Sequence, residues 1–99
     1  MKQRGKFKQL IQSDTPVLVD FSAEWCGPCR ALAPILKEVK STLKNQVKIV
    51  KIDVDRNPQL AGQYQVRSVP TLMLFQHGKM KWRQSGVVQA KQLLGVLKK

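Results

Sequence analysis

Apolar and polar positions switch between two periods along the chain, and the switches predict a succession of short elements. Phe7, Leu10 and Ile11 have helical spacing, which predicts a short first helix ended by Asp14, Thr15 and Pro16. Val17 to Ala23 reads as a strand whose run of Val17, Leu18, Val19, Asp20 and Phe21 lacks strict alternation, as in a central strand buried on both faces. Asp20 is the anomaly in that run. Leu32, Ile35, Leu36, Val39 and Leu43 trace one face of a long helix that ends near Lys44 and begins within or just after the Cys26 to Cys29 segment. Pro34 lies inside it and predicts a bend rather than an end.

Asn45 and Gln46 interrupt the pattern before a second strand, Val47 to Val54. Asn57 is placed to cap the next helix and Pro58 to open it, with Leu60, Ala61 and Tyr64 on its buried side. Thr71 to Phe75 is a third strand. His77 and Gly78 then form a hairpin turn into a fourth, Lys79 to Ser85, where Met80 and Trp82 alternate with Lys81 and Arg83 so that one face turns in and the other out. Gly86 ends that strand, and Ala90, Leu93, Leu94 and Leu97 define a closing helix.

This order is a βαβ unit followed by a ββα unit. The crossover makes the first two strands parallel and the tight turn makes the last two antiparallel, so the fold class is α/β with a mixed four-stranded sheet flanked by helices. A chain of 99 residues with 42% hydrophobic content builds one core, which predicts a single domain over 1–99. No apolar run approaches the roughly 18 residues of a membrane span, and the basic opening segment is not followed by an apolar signal core. The expected address is therefore the cytoplasm, with no membrane partner.

Charge and cysteine usage narrow the function. Lys and Arg number 18 against 6 acidic residues, a net charge of +12, with a cluster at Lys2, Arg4, Lys6 and Lys8. Such a balance suits acidic protein partners, nucleic acid or anionic membrane surfaces, or serves only to keep the surface soluble; with no interleaved aromatics or nucleic-acid motif, the soluble surface is the stronger reading and nucleic acid is not expected. The only cysteines, Cys26 and Cys29, stand three positions apart and would close almost no loop, so the pair is not a stabilising staple. Metal binding or redox chemistry remains. A zinc site needs two further ligands, and His77, the single histidine, lies on a distant predicted turn, so redox chemistry is the stronger reading and no metal is expected.

Trp25, Cys26, Gly27, Pro28 and Cys29 fall where the first strand passes into the long helix, which places Cys26 at the helix N-terminus. Unpaired N–H groups and the positive end of the helix dipole favour the thiolate there. Cys29, one turn on, turns its sulfur back towards Cys26. Gly27 lets a substrate backbone approach, and Pro28 restricts the loop.

Phe21, Ser22, Ala23, Glu24, Trp25, Cys26, Gly27, Pro28, Cys29 and Arg30 together resemble the active-site signature of thioredoxins. Pro34, the stretch from Lys51 to Asp55, and Val69, Pro70 and Thr71 before a strand are similar to further landmarks of that family. The resemblance runs from about Phe7 to the C-terminus and implies a thioredoxin-like fold in which the usual N-terminal strand is missing, leaving the Val47 to Val54 strand at an edge where Lys48 and Lys51 discourage unwanted pairing. Ser22 stands where many relatives carry tryptophan.

The resemblance also implies roles. Cys26 would be the nucleophile and Cys29 the resolving thiol of a protein-disulfide reductase serving electron transport and cell redox homeostasis. Asp20 would be the buried aspartate that helps deprotonate Cys29, with Lys51 its supporting neighbour; an ordinary hydrogen-bonded strand aspartate is the alternative. A cis bond between Val69 and Pro70 would sit beside the sulfurs, with Val69, Pro70, Thr71 and Gly86 bordering the substrate groove; an ordinary strand-start proline is the alternative there. No cofactor would be bound. A flavoprotein reductase drawing on NADPH would reopen the Cys26–Cys29 disulfide; monomer is the default oligomeric state, which the sequence leaves open. Two rivals differ in kind: a thiol oxidant or isomerase, which Gly27 and Pro28 resemble less, and a binding module or scaffold subunit acting through its basic surface.

Overall fold

The computed structural model describes residues 2–98, and in the first helix the side chains from Gly5 onward, so the side chains of Lys2 and Arg4 in the basic cluster lie outside the described residues. Its elements are α1 (Lys2–Leu10), β1 (Val17–Ser22), α2 (Gly27–Leu43), β2 (Lys48–Asp53), α3 (Pro58–Gln63), β3 (Thr71–Gln76), β4 (Lys79–Ser85) and α4 (Ala90–Leu97), with a 3₁₀ turn at Lys44–Gln46. The strands form one mixed sheet in the order β2-β1-β3-β4. β1 pairs parallel with β2, from Val17 opposite Lys48 to Ser22 opposite Asp53, and antiparallel with β3. This is the expected mixed four-stranded architecture.

Burial follows position in the sheet. Every residue of β1 is buried, as its unbroken apolar run predicts, whereas the edge strand β2 is half-buried to exposed throughout. On one face Leu18, Leu72 and Leu74 pack under Leu32, Leu36, Val39 and Leu43 of α2 and Leu93 of α4. On the other Val17, Val19, Phe21, Met73 and Phe75 pack under Phe7 and Ile11 at the α1 end and Leu60 of α3. A helix as short as α1 is marginal alone. Burying a side chain such as Phe7 contributes roughly 1.5–3 kcal/mol, and its ring meets Phe75 edge-on at 5.6 Å and Tyr64 at 5.4 Å, so packing holds this helix down.

α2 runs through Pro34 without ending, carrying its apolar stripe across the sheet. Two local expectations are corrected. Asn57 precedes α3 and Pro58 opens it, but the Asn57 side chain makes no cap; its Nδ2 donates instead to the Asp53 carbonyl at 2.9 Å, which closes the turn after β2. In β4 a register shift sets Met80 opposite Phe75 and Trp82 opposite Leu74, so the two side chains occupy opposite faces rather than one. Trp82 packs against the α2 side of the core, while Met80 is 41% exposed.

Candidate active site

The site grows from the end of β1. After Ser22 the chain makes a turn in which the Cys26 N–H bonds the Ala23 carbonyl at 3.2 Å, and α2 starts at Gly27 with Cys26 as its extended N-cap, φ −90° and ψ 112°. Pro28 occupies the first turn, where a missing N–H costs nothing. The Cys29 N–H donates to Cys26 Sγ at 3.1 Å, so the first cysteine sits where the orphan donors of the helix converge. The two sulfurs are joined as a disulfide.

Cys26 and Cys29 are 3% and 4% exposed and form a small cluster with Ala23, flanked by Val54 and Val69. The Val69–Pro70 peptide bond is cis, as the resemblance implied, and the Val69 carbonyl oxygen lies 3.6 Å from Cys26 Sγ. A reduced Cys26 could donate its S–H to that oxygen; the disulfide cannot. Gly86, at φ 89°, donates its N–H to the Pro70 carbonyl at 2.8 Å and ties the end of β4 to the same loop. Thr71 is brought to this edge with its hydroxyl turned inward, bonding the Ser68 carbonyl at 2.8 Å and the Ser85 hydroxyl at 3.0 Å.

Leu18, Asp20 and Ser22 alternate onto the sheet face that α2 covers. Asp20 is 3% exposed, and burial pushes its carboxyl up from 3.8 to about 6 against the opposing pull of the Lys51 ammonium, its register partner on β2. Asp20 Oδ1 and the fully buried Ser22 hydroxyl have no hydrogen-bond partner among the described residues.

On the solvent side Trp25 is 67% exposed, and its indole N–H donates to Asp55 Oδ2 at 2.8 Å. Arg30 reaches back to the Glu24 carbonyl at 2.7 Å, and Arg56 approaches the Glu24 carboxylate at 3.5 Å. Glu24 and Asp55 lie within the stretches that resemble the family but were given no role from the sequence, and Arg56 was not named. Their signal was topological, since parallel β1 and β2 must end at the same edge of the sheet and set the loops after them side by side. His77 lies at the opposite end, on the β3–β4 turn, 3.1 Å from Asp14. Among the described residues no group of three or more His, Cys, Asp and Glu side chains is placed to hold a metal ion.

A family profile for thioredoxin matches residues 1–99. A thioredoxin of Rickettsia felis is 47% identical over 92 residues, covering 93% of this chain and 88% of that protein. The chain belongs to the thioredoxin family. The chain is also 51% identical over 94 residues to a thioredoxin-like protein of Synechocystis sp., covering 94% and 90% of the two chains. Mitochondrial thioredoxin 3 of Saccharomyces cerevisiae, solved in its oxidised form, superimposes with a TM-score of 0.86 at 29% identity, covering 97% of this chain and 90% of that one. Family and dithiol together make the protein a thiol-disulfide oxidoreductase, a protein-disulfide reductase whose chemistry is carried by a redox-active cysteine pair without a bound cofactor. A binding module lacking this chemistry is not favoured.

Proposed function

We propose that the protein reduces disulfides of target proteins by a two-step exchange in which Cys26 attacks and Cys29 resolves. The Cys26 thiolate attacks one sulfur of the target disulfide; the Cys26–target bond forms, the target S–S bond breaks, and one target thiolate leaves and takes up a proton. Cys29 then gives up its proton and attacks Cys26, releasing the second target thiolate and leaving the Cys26–Cys29 disulfide. Two electrons pass from the dithiol to the target. The observation that carries this assignment is the Cys29 N–H aimed at Cys26 Sγ at the start of α2, a setting that favours thiolate, as is general for Cys-x-x-Cys sites, thioredoxins among them.

Asp20 is the proton acceptor for Cys29 in this reading, and Lys51 tunes it. A carboxyl near 6 can take a proton from a thiol and give it up again at neutral pH, which supports the assignment. Val69, Pro70, Thr71 and Gly86 border the substrate groove: an extended target segment would lie along the Val69 backbone beside Cys26, with Trp25 forming the opposite wall, while Gly27 and Pro28 shape the loop between. Thr71 acts there by position, its side chain being turned inward.

The finer assignments rest on chemistry and charge. We assign re-reduction to a flavoprotein reductase drawing on NADPH, because the dithiol must recover two electrons in each cycle, and we place this electron transport in the cytoplasm, where surroundings are reducing. Residues 1–99 act as one domain and as a monomer. The targets are proteins, with acidic ones favoured by the net charge of +12, rather than nucleic acid or membranes. Among the described residues no helix is long and apolar enough to cross a membrane.

Reduction of a test protein disulfide with a small dithiol as electron donor tests the central reading. Wild type accelerates the reaction and Cys26→Ser abolishes it; an active Cys26→Ser protein overturns the assignment. Replacing the small dithiol by NADPH and a flavoprotein thioredoxin reductase tests the proposed donor through NADPH consumption.

A further inference from the structure

β2 pairs on one side only among the described residues, with β1. The Lys48 N–H bonds the Pro16 carbonyl and the Val54 N–H bonds the Ser22 carbonyl, each at 2.9 Å, so the even-numbered residues of β2 turn their backbone groups towards β1. Ile49, Lys51 and Asp53 turn theirs outwards. Asp53 uses its carbonyl to receive the N–H of Asn57, whereas the N–H and C=O of Ile49 and Lys51 meet no partner strand among the described residues. Unpaired ladder groups of this kind are a template for an added strand.

What flanks this edge is apolar on both faces. On the α2 side a groove of about 450 Å³ runs between Leu36 and Ile49, rimmed by Lys37 and Lys40. On the α1 side a groove of about 320 Å³ is walled by Phe7, Leu10, Ile52 and Leu60 and rimmed by Lys6. A strand added to β2 would send successive side chains alternately into these two grooves, so adjacent residues would both be apolar. The exposed charges beside the strip, Lys48 and Lys51 on β2 with Lys37 and Lys6 at the rims, are positive, and the one carboxylate on β2, half-buried Asp53 at its end, accepts the Asp55 and Arg56 N–H groups through Oδ1.

We propose that the free edge of β2 is a docking strip for an extended segment of a partner protein in which a few adjacent apolar residues are bracketed by carboxylates. Its backbone pairs with Ile49 and Lys51, its apolar side chains fill the two grooves, and its carboxylates face the lysines. A second copy of this chain does not fit, because edge-to-edge pairing would set Lys48 and Lys51 of both copies together on molecules each carrying +12. The lysines thus select the sign of the strand that may pair. This strip is separate from the groove at Cys26 and does not depend on the disulfide chemistry.

Amide shifts on titration with acetyl-Glu-Glu-Val-Ile-Val-Glu-Glu-amide, and with the same peptide carrying lysines in place of glutamates, test the idea. The acidic peptide should shift Ile49, Lys51 and Asp53 saturably, with its affinity falling as salt rises, and the lysine peptide should bind far more weakly. Ile49→Pro removes an N–H that faces away from β1 and so leaves the ladder intact; it should weaken the acidic peptide about tenfold. Lys48→Glu, at an exposed side chain, should erase the preference between the two peptides. Equal binding of both peptides to wild type, shifts confined to the Trp25, Val69 and Gly86 groove, or self-association that protects the Ile49 and Lys51 amides would each overturn the proposal.

Discussion

Asp20 and Lys51 stand opposite each other in the parallel β1–β2 ladder, yet Asp20 is 3% exposed and Lys51 reaches solvent. The difference comes from the sheet order. β1 is a central strand covered by helices, while β2 is an edge, so a lysine can keep its ammonium wet and still act on a carboxyl in the interior. The fold therefore holds a carboxyl whose charge is costly and a cation that only partly offsets the cost.

The first prediction concerns that cost. The Asp20 carboxyl ionises near 3.8 when unfolded and at about 6 in the fold. Between those values the folded chain holds a proton that the unfolded chain has lost, so stability falls as pH rises through the window and levels off above it. Asp20→Asn should remove this loss, stabilising the protein by up to about 3 kcal/mol above pH 6 and by little near pH 4. Urea unfolding at a series of pH values checks it; a gain independent of pH would refute the linkage. The same variant should slow release of target from Cys26 near neutral pH while sparing the first attack.

Separating the two sulfurs gives the second prediction. In Cys29→Ser the first exchange remains possible and the second does not, so a target disulfide should leave a stable covalent adduct on Cys26, seen as a mass increase that a small thiol reverses. Turnover should fall to the level without protein. An adduct on Cys26→Ser instead, with none on Cys29→Ser, would exchange the roles of the two residues.

Trp25 and Asp55 furnish the third. Their hydrogen bond is exposed, so Asp55→Ala should cost less than about 1 kcal/mol of stability. It should nonetheless release the indole and, if Trp25 walls the substrate groove as proposed, raise KM for a protein disulfide more than it lowers kcat, with a change in the fluorescence of Trp25. A stability loss of several kcal/mol with unaltered kinetics would make the contact purely structural.

Much of this was legible in the chain, and what was not has identifiable causes. The apolar run of β1, the stripe of α2 and the Gly78 turn each reflect one strong local requirement, and together they give one parallel and one antiparallel pair; that β1 also pairs with β3, which completes the order β2-β1-β3-β4, is seen only in the structure. Cys26 at the start of α2 followed from the switch of period at that point. The β4 bulge was not legible, because alternating Met80, Lys81, Trp82 and Arg83 fit a regular strand equally well and only pairing with Leu74 and Phe75 reveals the shift. Nor was the Asn57 side chain's turn towards Asp53, since a good capping residue can satisfy a neighbouring carbonyl instead. The contact of Trp25 with Asp55, 30 residues apart, has no periodic signature and comes only from two parallel strands ending side by side.

The last prediction lies at the far end of the sheet. His77 and Gly78 turn β3 into β4 with φ 54° and 79°, the left-handed pair that suits a tight hairpin. Their N–H groups bond the Ser13 and Ile11 carbonyls at 3.0 and 2.8 Å, so the turn also anchors the chain leaving α1. A Cβ at position 78 would lie 2.8 Å from Gln12 Nε2, the movable tip of an exposed side chain, so backbone conformation rather than collision sets the penalty. Gly78→Ala should therefore destabilise by about 1–2 kcal/mol. Because Thr71, at the other end of β3, is the residue beside the cis proline, kcat and KM for disulfide reduction should stay unchanged where the protein is folded. Urea midpoints and steady-state kinetics on the same preparation check both halves, and a loss of activity without a loss of stability would mean that the turn communicates with Cys26.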